Sequence, residues 1–348
     1  MTGDPTEPAA MTIKRLITAA TLVFLLLLAP APGLSQAADA SVSDSTQQRP
    51  CSAAIGVVLI DAGNFDYPNA TFQSTFWIWS VSKKPDLDAL TNLDIRNAVA
   101  TEVVTDISTT EEGEHWHLQK IKGTFRNYWN LSKYPFDRQE LKIFLEEGGL
   151  NIQDFNYCID AESKSYFHSP NLKGWTLENM NIEVGSTQYE SNFGDPSLKG
   201  LETSAFTAAE ITVELRRSNW TSFWRISSGA FISLSLALSS FLLSFKNFGL
   251  LSARFGLLGG SAFANVISIR NVSARTGAVP YITFIDQIHL IPMIAILLGL
   301  IISLWNLRIH NKSDNVARCN AIDKYSLLSI SSFSIISLVT IFSQVGGN

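Results

Sequence analysis

Few side chains in this sequence have a type and spacing that could carry covalent chemistry. His115-Trp116-His117 puts two imidazoles on one face of a strand. Two ligands do not close a metal site, so the reading is an exposed strand end and no metal is expected. Cys51, Cys158 and Cys319 are the three cysteines, and none stands in a Cys-x-x-Cys or Cys/His zinc spacing. Cys51 and Cys158 share a polar stretch, where geometry alone decides on a disulfide between them; Cys319 falls between the last two apolar segments, on the opposite side of the membrane expected below, and cannot join them. His289 sits inside an apolar run and reads either as a proton sensor or as a buried hydrogen-bonding group. No nucleophile–base set, metal cluster or phosphate-binding loop appears, so neither an enzyme nor a cofactor is expected.

The elements that must position these residues fall into two halves. The chain has 348 residues and a formal charge of -5, which excludes a strongly basic nucleic-acid binder. Charged residues make up only 16% of it, against about 25% in soluble domains, and they are unevenly spread. Residues 41–215 hold 25 acids and 13 bases, whereas 216–348 hold 3 acids and 11 bases. A polar domain followed by a membrane domain accounts for that split.

Lys14-Arg15, the apolar Leu16–Leu28 and the small-residue site Ser35-Gln36-Ala37 read as a secretory signal over 1–37. A linker follows over 38–53. From 54 to 217 the pattern is of strands: Ile55–Ile60, Ala70–Val81, Ala98–Ile107, His115–Phe125, Gln139–Leu145, Trp175–Val184 and Phe206–Leu215, with a turn expected at Asp61-Ala62-Gly63-Asn64. Short strands at this spacing predict an all-β sandwich. Four apolar segments fill 218–348, predicting helices at about 220–245, 252–272, 281–309 and 323–343. The second is unlike the others. Its uncharged stretch Phe255–Ile269 is short and holds Gly256, Gly259, Gly260, Ser261, Asn265 and Ser268. It is either the lining of a water-filled bundle interior or a small-residue helix packed against its neighbours. Lys246 and Arg254, and then Arg308, Lys312, Arg318 and Lys324, make the two connections they flank cytoplasmic. The β domain then lies outside.

Leu131-Ser132-Lys133-Tyr134-Pro135-Phe136-Asp137-Arg138-Gln139-Glu140-Leu141 resembles the hallmark loop of the pentameric ligand-gated ion channels (Cys-loop receptors), in the prokaryotic form that lacks the loop cysteines. Val279-Pro280-Tyr281-Ile282-Thr283-Phe284-Ile285-Asp286 resembles that family's link between pore helix and third helix. The resemblance implies an immunoglobulin-like outer sandwich, a four-helix channel domain and a homopentamer in a bacterial inner membrane, with the N-terminal domain outside the cytoplasm. Its partners would be the lipid bilayer, permeating ions and an unknown small-molecule agonist or protons, with no nucleic acid. A non-conducting sensor or scaffold on the same fold, or a cation-selective channel, is the alternative. The chain departs from the pattern in lacking a Trp-x-Pro segment between Ser80 and Tyr134 and in its glycine-rich second helix.

The resemblance also implies roles for residues. Helical spacing from Gly256 gives Gly256, Gly260, Phe263, Ile267 and Arg270 as a pore-lining stripe, or else as helix–helix core. Phe263 and Ile267 would shut by dewetting. Ser252-Ala253-Arg254 stands where the family sets selectivity and resembles the anion-selective pattern, although the acidic outer domain would enrich cations. Asp66, Asp137 and Arg217 would couple the two domains, with Tyr134, Pro135, Phe136, Pro280 and Tyr281 packed beneath; the plainer reading is a set of surface ion pairs. Trp77, Trp79, Phe155, Tyr157, Tyr189 and Phe193 are candidates for a ligand pocket between subunits, with sandwich core as the plainer alternative.

Overall fold

The computed structural model describes residues 50–168, 172–198, 203–217, 220–244, 248–313 and 315–346. The expected signal peptide, the linker up to residue 49 and Lys246 lie outside the described residues. Two compact units emerge. One consists of strands and takes the described residues up to Asn130 and from Asp137 to Arg217. The other consists of helices, from Trp220 onward, and also includes the loop Leu131–Phe136.

The described strands are β1 (Ala53–Asp66), β2 (Thr71–Ser82), β3 (Leu93–Ile95), β4 (Ala98–Glu111), β5 (Glu114–Arg126), β6 (Arg138–Glu147), β7 (Tyr157–Ile159), β8 (Tyr166–Phe167), β9 (Trp175–Tyr189) and β10 (Ser204–Arg217). They form two sheets, one ordered β4-β5-β2-β1-β7 with β8 also on β1, the other β3-β6-β10-β9. This arrangement is compatible with a sandwich. The seven expected strands are present, while the short β3, β7 and β8 carry too few residues for a period to show. Alternation sets the faces: Phe72, Ser74, Phe76 and Ile78 turn inward on β2, as do Leu141, Ile143 and Leu145 on β6. Gly56 lies opposite Trp79, and a Cβ there would stand 2.1 Å from the indole, so only glycine fits. Asn97 ties the sheets together. Its Nδ2 donates to the carbonyls of Arg126 (2.9 Å) and Lys142 (2.7 Å), and its Oδ1 accepts from the Phe144 N–H (3.1 Å). Cys51 and Cys158 are joined by a disulfide, with Cα atoms 5.6 Å apart, beside the parallel pairing of β1 with β7.

The turn expected at Asp61–Asn64 is corrected. Those residues continue β1 through two register shifts against β2, and the chain reverses only after Asp66, at Tyr67-Pro68-Asn69-Ala70. A bulge absorbs the extra residues that a turn was invoked to explain.

The helices are α1 (Trp220–Ser239), α2 (Phe248–Thr276), α3 (Phe284–Ser313) and α4 (Val316–Gly346), with a single 3-10 turn, Ser240–Leu242, after α1. Each contains a stretch long and apolar enough to cross a membrane, which is the make-up of a multi-pass membrane protein. Phe241, Ala295, Leu298, Ile302, Ile322 and Ile330 form one buried cluster, and Ala237, Leu258 and Ile296 another. Local chemistry fixes the ends. Gly277, with φ 72°, closes α2 by donating its N–H to Ser273 O. Thr283 and Asp286 cap each other reciprocally: Asp286 Oδ2 accepts from the Thr283 N–H and hydroxyl, and the Asp286 N–H donates to Thr283 Oγ1. That cap starts α3 at Phe284 and not at 281.

Candidate functional site

In the strand unit, Arg217 gathers a cluster. It ends β10 opposite Trp175 on β9. Its Nε and Nη2 donate to the two carboxylate oxygens of Asp137 at 2.8 and 3.3 Å, and Nη2 also donates to the Tyr67 hydroxyl. The guanidinium lies 4.2 Å from the Trp175 ring centroid and 5.5 Å from that of Tyr67. Phe65 and Trp129 extend the aromatic wall. Asp137 is only 1% exposed and also accepts from Gln139 Nε2. Burial alone would lower the Arg217 pKa, but the facing Asp137 charge and Tyr67 outweigh it and the net shift is upward. Asp66 is a correction. Both of its carboxylate oxygens are taken by Asn69, whose backbone and side-chain N–H groups hold its pKa low. The bulged end of β1 delivers the next residue, Tyr67, to Arg217. Arg216 instead pairs with Glu178 at the surface.

In the helical unit, the loop Leu131–Phe136 docks on helix ends. The Leu131 N–H donates to the Tyr281 hydroxyl (2.9 Å), and the Phe284 N–H donates to Ser132 O (2.8 Å). The Phe136 ring lies 4.9, 5.5 and 5.7 Å from those of Trp220, Phe223 and Phe284, and Phe342 completes the cluster. Tyr134 and Pro135 are buried. Pro280, expected in the same packing, is exposed.

Helix α2 has two unlike faces. Arg254, Leu258, Ser261, Asn265, Ser268, Val272 and Thr276 form its buried stripe. The polar members find partners on α1 and α3: Ser261 O accepts the Ser233 hydroxyl (2.6 Å), Asn265 Nδ2 donates to His289 O (3.1 Å), and Ser268 Oγ lies 2.8 Å from His289 Nε2. The Nδ1–H of His289 donates to Ile285 O, so its Nε2 accepts the Ser268 hydroxyl and the buried ring is satisfied. Of the two readings of their polarity, Ser261, Asn265 and Ser268 fit the second: they join helices. The opposite stripe, Gly256, Gly260, Phe263, Ile267 and Arg270, is exposed within the chain. A Cβ at Gly256, Gly259 or Gly260 would meet nothing within 4 Å.

Arg254 is also corrected. Ser252 and Ala253 are exposed, but Arg254 is fully buried, with Nη1 and Nη2 on the two oxygens of Asp323 (2.7 and 2.8 Å) and Nε on Ser303 (2.8 Å). Asn306 donates to the same carboxylate. Asp323 neutralises the charge, so Arg254 presents no positive head on the open face of α2. The pairing residue lies 69 positions away, and no local spacing marks it.

The aromatic candidates separate. Phe155 and Tyr157 are buried against one another as core. Trp79 is buried over Gly56 and donates to Asp160 (2.7 Å), which lowers that carboxylate's pKa although burial works against it. Trp77 carries Lys120 over its ring. Tyr189, Phe193 and Phe206 form a cluster whose Phe193 is exposed. Burial, together with a hydrogen bond to Glu146 (2.7 Å), pushes the Tyr189 hydroxyl pKa up to about 12. The exposed strand end expected at His115 and His117 is corrected as well: His117 is buried between Asp88 and Asp106. No protein-family model matches the chain, and no curated protein matches it.

Proposed function

We propose that the chain is one subunit of a homopentameric ion channel of the pentameric ligand-gated type, with α2 of each copy lining the pore. The observation that carries this reading is the division of α2. One face is tied by hydrogen bonds and apolar packing to α1 and α3, while the other, Gly256–Gly260–Phe263–Ile267–Arg270, is left open. The open faces of α1, α3 and α4 carry large apolar side chains such as Trp224, Leu297, Leu304, Ile336 and Val339, suited to lipid. The open face of α2 carries Phe263 and Ile267 too, but sets them beside Gly256, Gly260 and Arg270, and the arginine is costly in lipid. Around an axis, Phe263 and Ile267 form apolar rings that close by dewetting, and the glycines leave a wide half. With Arg254 neutralised by Asp323, anion preference rests on Arg270. Chain continuity supports coupling. Phe136 is packed among helix aromatics, and the next residue, Asp137, pairs with Arg217.

Single cysteines along Phe255–Ile269 in a Cys319→Ser background test the reading, with water-soluble thiol reagents applied during recording in planar bilayers. Modification at Gly256, Gly260, Phe263 and Ile267 changes the current, while Ser261, Asn265 and Ser268 are protected. Protection of Phe263 and Ile267, or purified protein that never conducts across agonist and pH screens, overturns it in favour of a scaffold.

A further inference from the structure

A second cluster, in the strand unit and unused by the reading above, is built for a different ligand. His115 and His117 share a face of β5, because residues two apart in a strand point the same way. Register with β4 sets Thr110 beside His115 and Asp106 one rung beyond His117. Asp88 arrives from outside the sheet, as the cap of the single 3-10 turn Pro85–Leu87 that follows β2. His117 Nδ1 is 2.5 Å and His115 Nε2 3.7 Å from Asp88 Oδ2, and one donor atom from each of the three residues lies within 4.8 Å of the others. Tetrahedral coordination by nitrogen and oxygen at about 2.0–2.2 Å separates ligand atoms by roughly 3.3 Å. The observed separations bracket that value, so small side-chain rotations suffice.

The outer partners fit the same geometry. A metal on His117 Nδ1 requires the proton on Nε2, and there Asp106 Oδ1 waits at 2.6 Å to accept it. A metal on His115 Nε2 requires the proton on Nδ1, where Thr110 Oγ1 lies at 3.0 Å. Acceptors on the far nitrogens of ligating histidines are the usual support of a metal site. The Leu90 N–H and the Thr91 hydroxyl fix the Asp88 carboxylate. The Asp88 and His117 side chains are nearly buried and that of His115 is a little more open, while Asp106 is 56% exposed.

We infer that Asp88, His115 and His117 form a binding site for a divalent first-row transition metal of the zinc class, with a fourth position for water and with Asp106 and Thr110 orienting the imidazoles. Two imidazoles and one carboxylate suit such a metal; calcium and magnesium take all-oxygen sets. The bound ion would pin the loop after β2 to the β4–β5 hairpin. The inference does not depend on ion conduction.

The test uses the untagged full chain in detergent, stripped with a chelator and dialysed against Zn2+, with metal per chain measured by elemental analysis and affinity by competition. One tightly held equivalent is expected, with a melting temperature raised by Zn2+ and not by Ca2+. His115→Asn, the least buried ligand, should weaken affinity at least tenfold in a chain that still folds by circular dichroism. Thr110→Val should weaken it by about 10–100-fold. Co2+ substituted at the site should give the visible bands of a four-coordinate ion, lost in His117→Gln. The inference is overturned if the chain retains no Zn2+, if His115→Asn binds as tightly as the parent, or if Ca2+ and Zn2+ stabilise equally.

Discussion

Arg217 shows how a single buried charge is made tolerable. Its guanidinium is held by two carboxylate oxygens, a phenol and an indole face, and Asp137 is buried beneath it. Removing one member of such a pair strands the other, at a cost of about 3–5 kcal/mol. Arg217→Ala should therefore lower stability by about that amount, read as a shift in the denaturation of the strand unit. Arg216→Ala, whose pair with Glu178 is half in solvent, should move it by no more than about 1 kcal/mol. Asp66→Ala should leave the Arg217 cluster intact. If instead Asp66→Ala matched Arg217→Ala, the placement of Tyr67 on the arginine would be wrong. Arg217 and Asp137 were legible in the sequence, since one closes a strand and the other sits in a recognisable loop. The exchange of Asp66 for Tyr67 was not, because it depends on a bulge in β1, and a bulge leaves no mark in the hydrophobic pattern when Gly63 and Asn64 read equally well as a turn. Asp88 was hidden for a related reason: it reaches His117 from a loop 29 residues earlier, a pairing that no spacing rule anticipates.

At the level of elements, α2 was legible in outline, with the setting of its polar residues left open. Periodicity marked Gly256, Gly260, Phe263, Ile267 and Arg270 as one stripe, and they do share one open face. The sequence left open whether its polar residues line water or pack against neighbours; Ser261, Asn265 and Ser268 face other helices, because a serine or asparagine between helices in an apolar medium gains a partner there that lipid withholds. The glycines of the bundle accordingly have different jobs. At Gly229 on α1 a Cβ would stand 2.6 Å from Ser268 Oγ and 2.8 Å from its Cβ, so α1 and α2 approach closely only because the side chain is missing. At Gly256 and Gly260 there is open space. Gly229→Ala should therefore destabilise the bundle, whereas Gly256→Ala and Gly260→Ala should be neutral or stabilising, by up to about 1 kcal/mol each from helix propensity. Thermal unfolding in detergent compares the three. The two latter variants should also reduce unitary conductance if their face borders the ion path, a change that a lipid-facing helix would not produce. Equal destabilisation by all three would mean that the open face of α2 is packed in the assembled protein.

The whole molecule raises the question of what covers that face. A helix whose inward side is tied to its neighbours and whose outward side is glycine-rich in one half is a poor boundary with lipid, since packing against hydrocarbon yields little at Gly256 and Gly260 and Arg270 adds a desolvation cost at the other end. Symmetric repetition resolves both difficulties at once, because copies placed around an axis turn the same stripe toward water, where glycine and arginine are at no disadvantage. The resemblance of the Leu131–Leu141 loop and the Val279–Asp286 link to the pentameric channels sets the expected number at five. Chemical crosslinking of the detergent-solubilised chain should give a ladder that stops at five, and particles viewed down the symmetry axis by electron microscopy should show fivefold averages. Arg270→Gln should leave that assembly unchanged while shifting the reversal potential in a chloride gradient, because the residue projects into the proposed water path and makes no ion pair among the described residues. Fourfold or absent symmetry would remove the axis on which the pore reading depends. Fivefold particles with an unmoved reversal potential would keep the assembly and take selectivity away from Arg270.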